Sequence, residues 1–260
     1  MMSNKFTDQL GNQVILNKPP ERIVSLVPSQ TELLYDLGLD EKVIGITKFC
    51  VHPASWRKSK TIVGGTKRIR HDVMDELQPD LIIANKEENT KEDIELLQKK
   101  YPVWISDVIS WQDALQMIKG IAEVTGKVQR AEELLKQIEN AFADLPALPS
   151  AKVLYLIWRG PWMAAAADTF IDIMLNKIGW QNVLKDYSRY PELTTEQIQS
   201  LKPDYILLSS EPYPFKEAHI KELKLICPQA QVLLVDGEMF SWYGSRLLQV
   251  PVYIKSLQLS

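Results

Sequence analysis

A repeated segment constrains the fold more than any other feature of this sequence. The segment LQPDLIIA covers Leu77 to Ala84, and LKPDYILL covers Leu201 to Leu208. In each copy, a Pro-Asp pair follows a short helical stretch and precedes an apolar run without alternation, which is typical of a strand covered on both faces. Because the neighbouring stretches also recur in the same order, the repeat predicts two α/β lobes of similar architecture.

A long helical stretch separates the two copies. From Val128 to Leu145, apolar residues recur every three or four positions, and prolines follow the stretch. At 1.5 Å per residue, such a helix is roughly 25 Å long. We predict an N-terminal lobe of residues 1–126, a connecting helix of residues 127–147 and a C-terminal lobe of residues 148–260. We expect a ligand cleft between the lobes, since clefts at domain interfaces are common binding sites.

Strand patterns alternate with helical patterns in both predicted lobes. Strands are predicted at Ile23–Val27, Val43–Ile46, Thr61–Val63, Leu81–Ala84, Val103–Ile105, Val153–Trp158 and Val232–Val235. Capping pairs at Ser29/Glu32, Thr169/Asp172 and Thr194/Gln197 predict helix starts, and the last helix is expected from Gly244 to Leu257 with an interruption at Pro251. The predicted fold class is α/β, with two Rossmann-like lobes of mainly parallel sheets joined by one long helix.

Composition excludes several classes of function. With 45% hydrophobic residues, the 260-residue chain has enough apolar surface for two cores, and its net charge of -3 disfavours nonspecific nucleic-acid binding. The sequence contains no run of eighteen consecutive apolar residues, so no transmembrane helix is predicted. The N-terminal segment lacks a signal-peptide pattern, so we expect a cytoplasmic protein as written, and a periplasmic or cell-surface protein if the true start lies upstream. Cys50 and Cys227 show no paired spacing, which predicts no disulfide framework.

The loops that follow the predicted strands are the candidate ligand-binding segments, because ligands of open α/β sheets bind at the carboxyl ends of strands. Aromatic side chains in these loops can stack on a flat ligand or fill the seam between lobes, and cationic ones can pair with carboxylates or phosphates. His52 can ligate a metal ion or the metal of an organic chelate. The candidate residues in these loops are Pro28, Ser29, Lys48, Cys50, His52, Thr66, Lys67, Asn85, Glu87, Glu88, Arg159, Trp162, Trp242, Tyr243 and Arg246.

Common catalytic signatures do not occur in the sequence. It contains no GxSxG elbow, HExxH motif, Walker phosphate loop or GxGxxG after a strand. This favours a binding protein over an enzyme, and we expect no catalytic residue and no catalytic cofactor.

A family resemblance extends over essentially the whole chain. The segment PERIVSLVPSQTELLYDLG, the LxPD repeat and the single connecting helix together resemble the substrate-binding proteins of ABC importers for vitamin B12 and iron-siderophore complexes, the helical-backbone metal receptors. The resemblance implies a monomer that binds a metal chelate and docks on a permease dimer. The loops KFCVHP and NKEEN resemble a subgroup that often lacks export signals.

The resemblance also assigns roles to individual positions. Asp72 and Glu196 each stand eight residues before the aspartate of a Pro-Asp pair, and they match the acidic residues that dock on permease arginines. The alternative is that both carboxylates only favour the helix dipole. Trp162 matches an aromatic residue that closes over the corrin face, and Met239-Phe240 match a later aromatic pair. Thr66 and Asn85 stand where B12-binding members have aromatic residues.

The leading hypothesis is that the chain binds a corrinoid or an iron-siderophore in the cleft. Trp162, Trp242 and Tyr243 would pack on the chelate, and His52 or Cys50 would approach its metal. Arg159 or Arg246 would meet its acidic groups. Two alternatives remain open. One is a cytosolic protein that binds or senses free metal ions through His52, Cys50 and a carboxylate. The other is an enzyme acting on a chelate, with Cys50 as nucleophile and His52 as base.

Overall fold

The computed structural model describes residues 4–257 and contains two compact units. Within that range, unit 1 comprises residues 4–108, 112–141 and 243–248, and unit 2 comprises residues 109–111, 142–242 and 249–257. The division differs from the predicted boundaries at the C-terminal segment Tyr243–Leu248, which belongs to unit 1. An ion pair between Arg246 and Glu32 accounts for this difference.

Unit 1 is built on a parallel sheet. Its strands are β1 (Asn4–Thr7), β2 (Gln13–Leu16), β3 (Ile23–Ser25), β4 (Val43–Ile46), β5 (Thr61–Ile62), β6 (Gly64–Gly65), β7 (Arg68–Ile69), β8 (Leu81–Asn85) and β9 (Val103–Ser106). The sheet order is β5-β4-β3-β8-β9 with every pair parallel, while β1-β2 and β6-β7 form separate antiparallel pairs. Fully buried strand β8 lies next to the central strand, as its unbroken apolar run predicts.

Helices follow the strands of unit 1. They are α1 (Pro28–Asp36), α2 (Trp56–Ser59), α3 (His71–Leu77), α4 (Lys91–Gln98), α5 (Trp111–Thr125) and α6 (Val128–Ala143), of which α5 and α6 carry one end each in unit 2. A 3-10 helix, Ser245–Leu248, completes the unit. The helix expected from Val128 is confirmed, and it ends at Ala143, before Pro146.

Unit 2 has a mixed sheet with a parallel centre. Its strands are β10 (Lys152–Trp158), β11 (Trp162–Ala164), β12 (Gln181–Asn182), β13 (Glu192–Leu193), β14 (Tyr205–Ser209) and β15 (Gln231–Val235). The order is β13-β11-β10-β14-β15, in which β10, β14 and β15 are parallel and β11 and β13 are antiparallel additions; β12 also pairs with β10. Its helices are α7 (Phe170–Lys177), α8 (Thr195–Leu201), α9 (Glu217–Ile226), α10 (Glu238–Ser241) and α11 (Val250–Ser256).

The repeated segment makes the same connection in both units. The helices α3 and α8 end at Gln78 and Lys202, which both adopt the left-handed conformation that terminates helices. In unit 1, the Asp80 N–H donates to the Arg22 carbonyl at 3.0 Å, and the Arg22 N–H donates back to the Asp80 carboxylate at 2.8 Å. In unit 2, Asp204 and Lys152 make the same reciprocal pair at 2.8 and 2.7 Å. Each aspartate therefore fixes the start of a buried strand against its neighbour.

Two local expectations are wrong. Ser29 does not cap α1: Val27 is the N-cap without a side-chain bond, Pro28 opens the helix, and the Glu32 carboxylate is held by Arg246. Pro251 does not interrupt a terminal helix but lies in the first turn of α11, and the break falls before it at Gln249. The caps at Thr169 and Thr194 are confirmed.

The Asp204 connection predicts a measurable stability loss. Replacing Asp204 by Ala removes the acceptor of the Lys152 N–H, and we expect the free energy of unfolding to fall by about 1 kcal/mol because the site is exposed. Urea denaturation followed by circular dichroism measures the change. Asp186→Ala, at an exposed loop position of the same unit, is the control and should change stability by less than about 0.5 kcal/mol. Equal stability of Asp204→Ala and the wild type would contradict the assignment.

Candidate functional site

The predicted ligand-binding loops leave the carboxyl ends of parallel strands in each unit. In unit 1 they follow β3, β4, β5 and β8, and in unit 2 they follow β10, β14 and β15. Ligands of open parallel sheets bind at these ends. A cavity of about 570 Å³ in unit 1 lies at the C-terminal end of α1, beside Tyr35 and Arg130, and none of the predicted ligand-binding residues line it.

Two buried asparagines shape the loop after β8. The Asn85 side chain donates to Ser106 Oγ at 2.9 Å and accepts from the backbone N–H groups of Glu87 and Glu88 at 2.8 and 2.9 Å. Asn89 accepts from the Asn85 N–H at 2.9 Å and donates to the Thr66 carbonyl at 3.0 Å. Asn85 thus holds the loop in place while the Glu87 and Glu88 side chains remain exposed.

The exposed end of this loop combines acidic and basic groups. Lys67 Nζ donates to the Glu87 carbonyl. Desolvation by the surrounding protein raises the pKa of the Glu88 carboxyl, and the positive charge of Lys67 partly offsets this increase. Solvent nevertheless reaches the Glu88 side chain. Thr66 itself is buried. Glu87, Glu88 and Lys67 are therefore the members of this group that a ligand can contact.

The loop after β4 contains a buried cysteine and a partly buried histidine. The Cys50 sulfur is fully enclosed and contacts Thr31 Oγ1 at 3.0 Å and Thr47 Oγ1 at 3.2 Å. Burial raises the pKa of this thiol, so it is protonated near neutral pH. His52 is partly exposed. The exposed Lys48 ammonium lies 5.0 Å from the Phe49 ring.

A buried ion pair lies next to the start of α1. Arg246 Nε donates to Glu32 Oε2 at 2.9 Å, Arg246 Nη2 lies 2.8 Å from Glu32 Oε1, and the side chains are 7% and 10% exposed. Desolvation nevertheless raises the pKa of the Glu32 carboxyl, and Arg246 partly offsets this effect. Ser29 is buried and Pro28 is half-buried on the same helix. Arg246, predicted to meet acidic groups of a ligand, is paired within unit 1.

In unit 2, an arginine covers the predicted aromatic residue of β11. Arg159 donates to the Glu222 carboxylate with Nε at 3.2 Å and Nη2 at 2.6 Å, and its guanidinium lies 4.4 Å from the Trp162 ring centre. Trp162 is 5% exposed and stacks on Phe215 in the core of the unit. Arg159 keeps partial exposure, so solvent and ligands reach the arginine more readily than they reach Trp162.

The loop after β15 presents its aromatic residues to different degrees. Phe240 is fully buried against Tyr155, and the Trp242 indole N–H donates to Glu211 at 3.0 Å. Desolvation raises the pKa of the Glu211 carboxyl, although Ser241 and Trp242 donate hydrogen bonds to it. Tyr243 is half-buried. Tyr243 is therefore the most accessible of the aromatic residues predicted in this loop.

Both predicted docking acids lie in the first turn of a helix and are exposed. Asp72 is in α3 and pairs with Arg70 at 2.9 Å. The hydrogen bond from Arg70 lowers the pKa of the Asp72 carboxyl. Glu196 is in α8, where backbone and Thr194 hydrogen bonds lower the pKa of its carboxyl. The two positions are equivalent in the repeat, but a favourable interaction with the helix dipole applies to both.

The match to a known family covers most of the sequence. A sequence profile for the family described as periplasmic binding protein matches residues 23–225. The chain belongs to the periplasmic binding protein family. This family is made up of substrate-binding proteins, and both the α/β fold and the predicted resemblance are confirmed.

The proteins similar to this chain are named for different ligands, and one is named for none. The chain is 28% identical over 213 residues to the uncharacterized ABC transporter substrate-binding lipoprotein YvrC of Bacillus subtilis strain 168, covering 77% of this chain and 67% of that protein. It is 26% identical over 197 residues to the vitamin B12-binding protein of Vibrio vulnificus strain CMCP6, covering 74% and 72%. The fold is shared with the petrobactin-binding protein YclQ of Bacillus subtilis, with a TM-score of 0.81, 19% identity and 98% coverage of both chains.

Several residues that shape the loops of this periplasmic binding protein escaped the sequence-based selection. They are the acids Glu32, Glu211 and Glu222, which hold Arg246, Trp242 and Arg159. The exposed Trp158 and the partly buried Tyr213 were also not selected. The sequence contained a signal for Trp158 and Tyr213, because both are aromatic residues within the predicted ligand-binding loops.

The Glu32–Arg246 pair predicts a strong asymmetry between single and double substitutions. Glu32→Ala leaves a buried guanidinium without its carboxylate, and we expect a loss of about 3–5 kcal/mol in the free energy of unfolding. The double variant Glu32→Leu, Arg246→Met buries apolar groups instead and should lose less than the single variant. Urea denaturation of both proteins tests this. A single variant that loses under about 1 kcal/mol would show that the pair is not effectively buried.

Proposed function

We propose that this periplasmic binding protein takes a metal chelate as its transport substrate, either a corrinoid or an iron-siderophore. The observation that carries the proposal is the character of the carboxyl-end loops, where aromatic rings stand beside hydrogen-bonding and charged groups in both units. Chelates of this kind present both apolar and polar edges. The vitamin B12-binding relative and the petrobactin-binding structure support the same ligand classes.

The residues favour a chelate over a free ion as the ligand. A free-ion site needs several ligating side chains in one place, and residues 4–257 contain no group of three or more His, Cys, Asp and Glu side chains suited to hold a metal. The Cys50 thiol, invoked for both alternatives, is enclosed and protonated. In this proposal the metal arrives inside an organic chelate, and the protein acts as a carrier without a catalytic cofactor.

The proposed partner is an ABC permease dimer, with the chain acting as a monomer. Asp72 and Glu196 supply one exposed carboxylate per unit at equivalent positions of the repeat. Carboxylates on a rigid helix start suit bidentate pairing with arginine. Since relatives include a substrate-binding lipoprotein, we place this activity in the periplasm or at the cell surface. In residues 4–257, no helix meets the length and hydropathy needed for a membrane span.

Ligand titration tests the chelate proposal. Purified protein is titrated separately with cyanocobalamin, dicyanocobinamide, haemin and ferrioxamine B while the absorption band of the chelate is followed. We expect one of them to bind with a spectral shift and to raise the melting temperature, because a ligand that binds only the folded state stabilises it. Zinc, manganese and ferric salts are the controls for a free ion. The proposal fails if only a salt binds, or if no chelate changes either signal.

Docking is tested in proteoliposomes that contain a candidate ABC permease with its ATPase. The double variant Asp72→Ala, Glu196→Ala should weaken docking about tenfold in apparent affinity, measured by ATPase stimulation, while chelate affinity stays unchanged. Glu92→Ala, Glu217→Ala is the matched control, because these acids also occupy first helical turns, one in each unit. Equal losses in both double variants would favour the helix-dipole explanation.

A further inference from the structure

An aromatic cluster in unit 2 lies where its two central strands end. Trp158 is the last residue of β10, and Tyr213 stands in the loop after β14, the parallel neighbour of β10. Their ring centres are 5.3 Å apart in an edge-to-face arrangement, and Tyr213 packs in turn on Phe215 at 4.8 Å. The cluster therefore continues from the core of the unit to the carboxyl end of the sheet.

The backbone places Trp158 outside this core. The pairing of β10 with β11 shifts register between Leu156 and Trp158, and such irregularities redirect side chains at strand ends. Trp158 is 38% exposed, whereas Trp162 is 5% exposed beneath the Arg159–Glu222 pair. The accessible indole at this end of unit 2 is thus Trp158, although Trp162 was the residue expected to face a ligand.

A histidine orients the hydroxyl group of Tyr213. His219 Nδ1 accepts the Lys216 N–H at 2.9 Å, which leaves the proton of the neutral imidazole on Nε2. His219 Nε2 lies 3.3 Å from Tyr213 Oη, so the imidazole donates to the phenol oxygen. The Tyr213 O–H proton is then available to a different acceptor.

We propose that Trp158 and Tyr213 form a ligand-contact surface of unit 2 for a planar, macrocyclic metal chelate, with His219 as a positioning residue. The Trp158 indole supplies a flat apolar face for the conjugated ring, and Tyr213 donates its O–H to a carbonyl or carboxylate on the rim of the macrocycle. Pro212 and Pro214 restrict the backbone on both sides of Tyr213, which lowers the entropy lost on binding. This inference rests on the proposed chelate-binding function and narrows its ligand class.

The test compares planar and non-planar chelates on the full chain. Cyanocobalamin and haemin provide a corrin and a porphyrin, and ferrioxamine B provides a ferric chelate without a conjugated ring. We expect Trp158→Ala to raise the Kd of the bound macrocycle about tenfold, and Tyr213→Phe to raise it about threefold through the lost hydrogen bond. Trp158→Phe keeps an aromatic face and should stay within about threefold of the wild type.

Tyr35→Ala is the matched control, because Tyr35 is 43% exposed but lies at the C-terminal end of α1, away from the carboxyl ends of the strands. Its effect on the Kd should be less than about twofold. Unchanged macrocycle affinity in Trp158→Ala, or an equal loss in Tyr35→Ala, would overturn the assignment. If the wild type binds only ferrioxamine B, the chelate proposal stands and this inference falls. If it binds no chelate, both fall.

A double-mutant cycle tests the role of His219. If the imidazole acts only by orienting the Tyr213 hydroxyl, His219→Ala should weaken macrocycle binding about twofold to threefold in the wild-type background and should have no further effect in Tyr213→Phe. A loss of general helix stability would instead weaken binding equally in both backgrounds. Equal effects of His219→Ala in the two backgrounds would overturn the positioning role.

Discussion

The reciprocal pairing of Asp80 with Arg22, and of Asp204 with Lys152, is the constraint on which the rest of both units depends. In each unit, a carboxylate and a backbone N–H tie the residue before a buried strand to the start of its central neighbour. The pairing sets the strand register and so aligns the carboxyl ends of the two strands. The loops that leave those ends consequently come from adjacent strands, although they are distant in sequence.

Charge pairing within each unit determines which side chains remain available to a ligand. The arginines expected to meet a chelate, Arg159 and Arg246, both form bidentate contacts with carboxylates of their own unit. Arg246 is buried with its partner and serves unit 1 mainly as a link for the C-terminal segment. Arg159 is only partly covered, and it shields Trp162 while Trp158 stays open. The accessible tryptophan at this end of unit 2 is therefore Trp158, at the end of β10, and not Trp162.

The sequence predicted the features that depend on local patterns. Unbroken apolar runs located the central strands, and the caps at Thr169 and Thr194 located two helix starts, because a cap needs only residues three positions apart. The capping box expected at Ser29 and Glu32 failed since Glu32 pairs with Arg246, which is 214 residues away in sequence. A rule based on residues three positions apart cannot predict a pairing between residues so distant in sequence.

Contacts between residues distant in sequence also limited the prediction of site residues. The sequence selected Trp162 by its loop and family position, but Trp162 is buried in the core of unit 2 beneath Arg159. Glu222, which pairs with Arg159, lies on α9, a helix that the sequence analysis did not predict. Asn85 was selected as a ligand-facing residue, yet its side chain bonds to Ser106 and to the loop backbone. Polar residues at strand ends serve both to shape loops and to contact ligands, and composition alone does not separate the two roles.

Anomalous diffraction from co-crystals with a bound chelate tests the central claim most directly. Data collected at the cobalt or iron absorption edge locate the metal, and the surrounding density shows what holds it. The account predicts a single metal peak enclosed by chelate density and contacted by loops at the carboxyl ends of the parallel strands. A metal ligated only by protein side chains, or a chelate bound away from these loops, would contradict it.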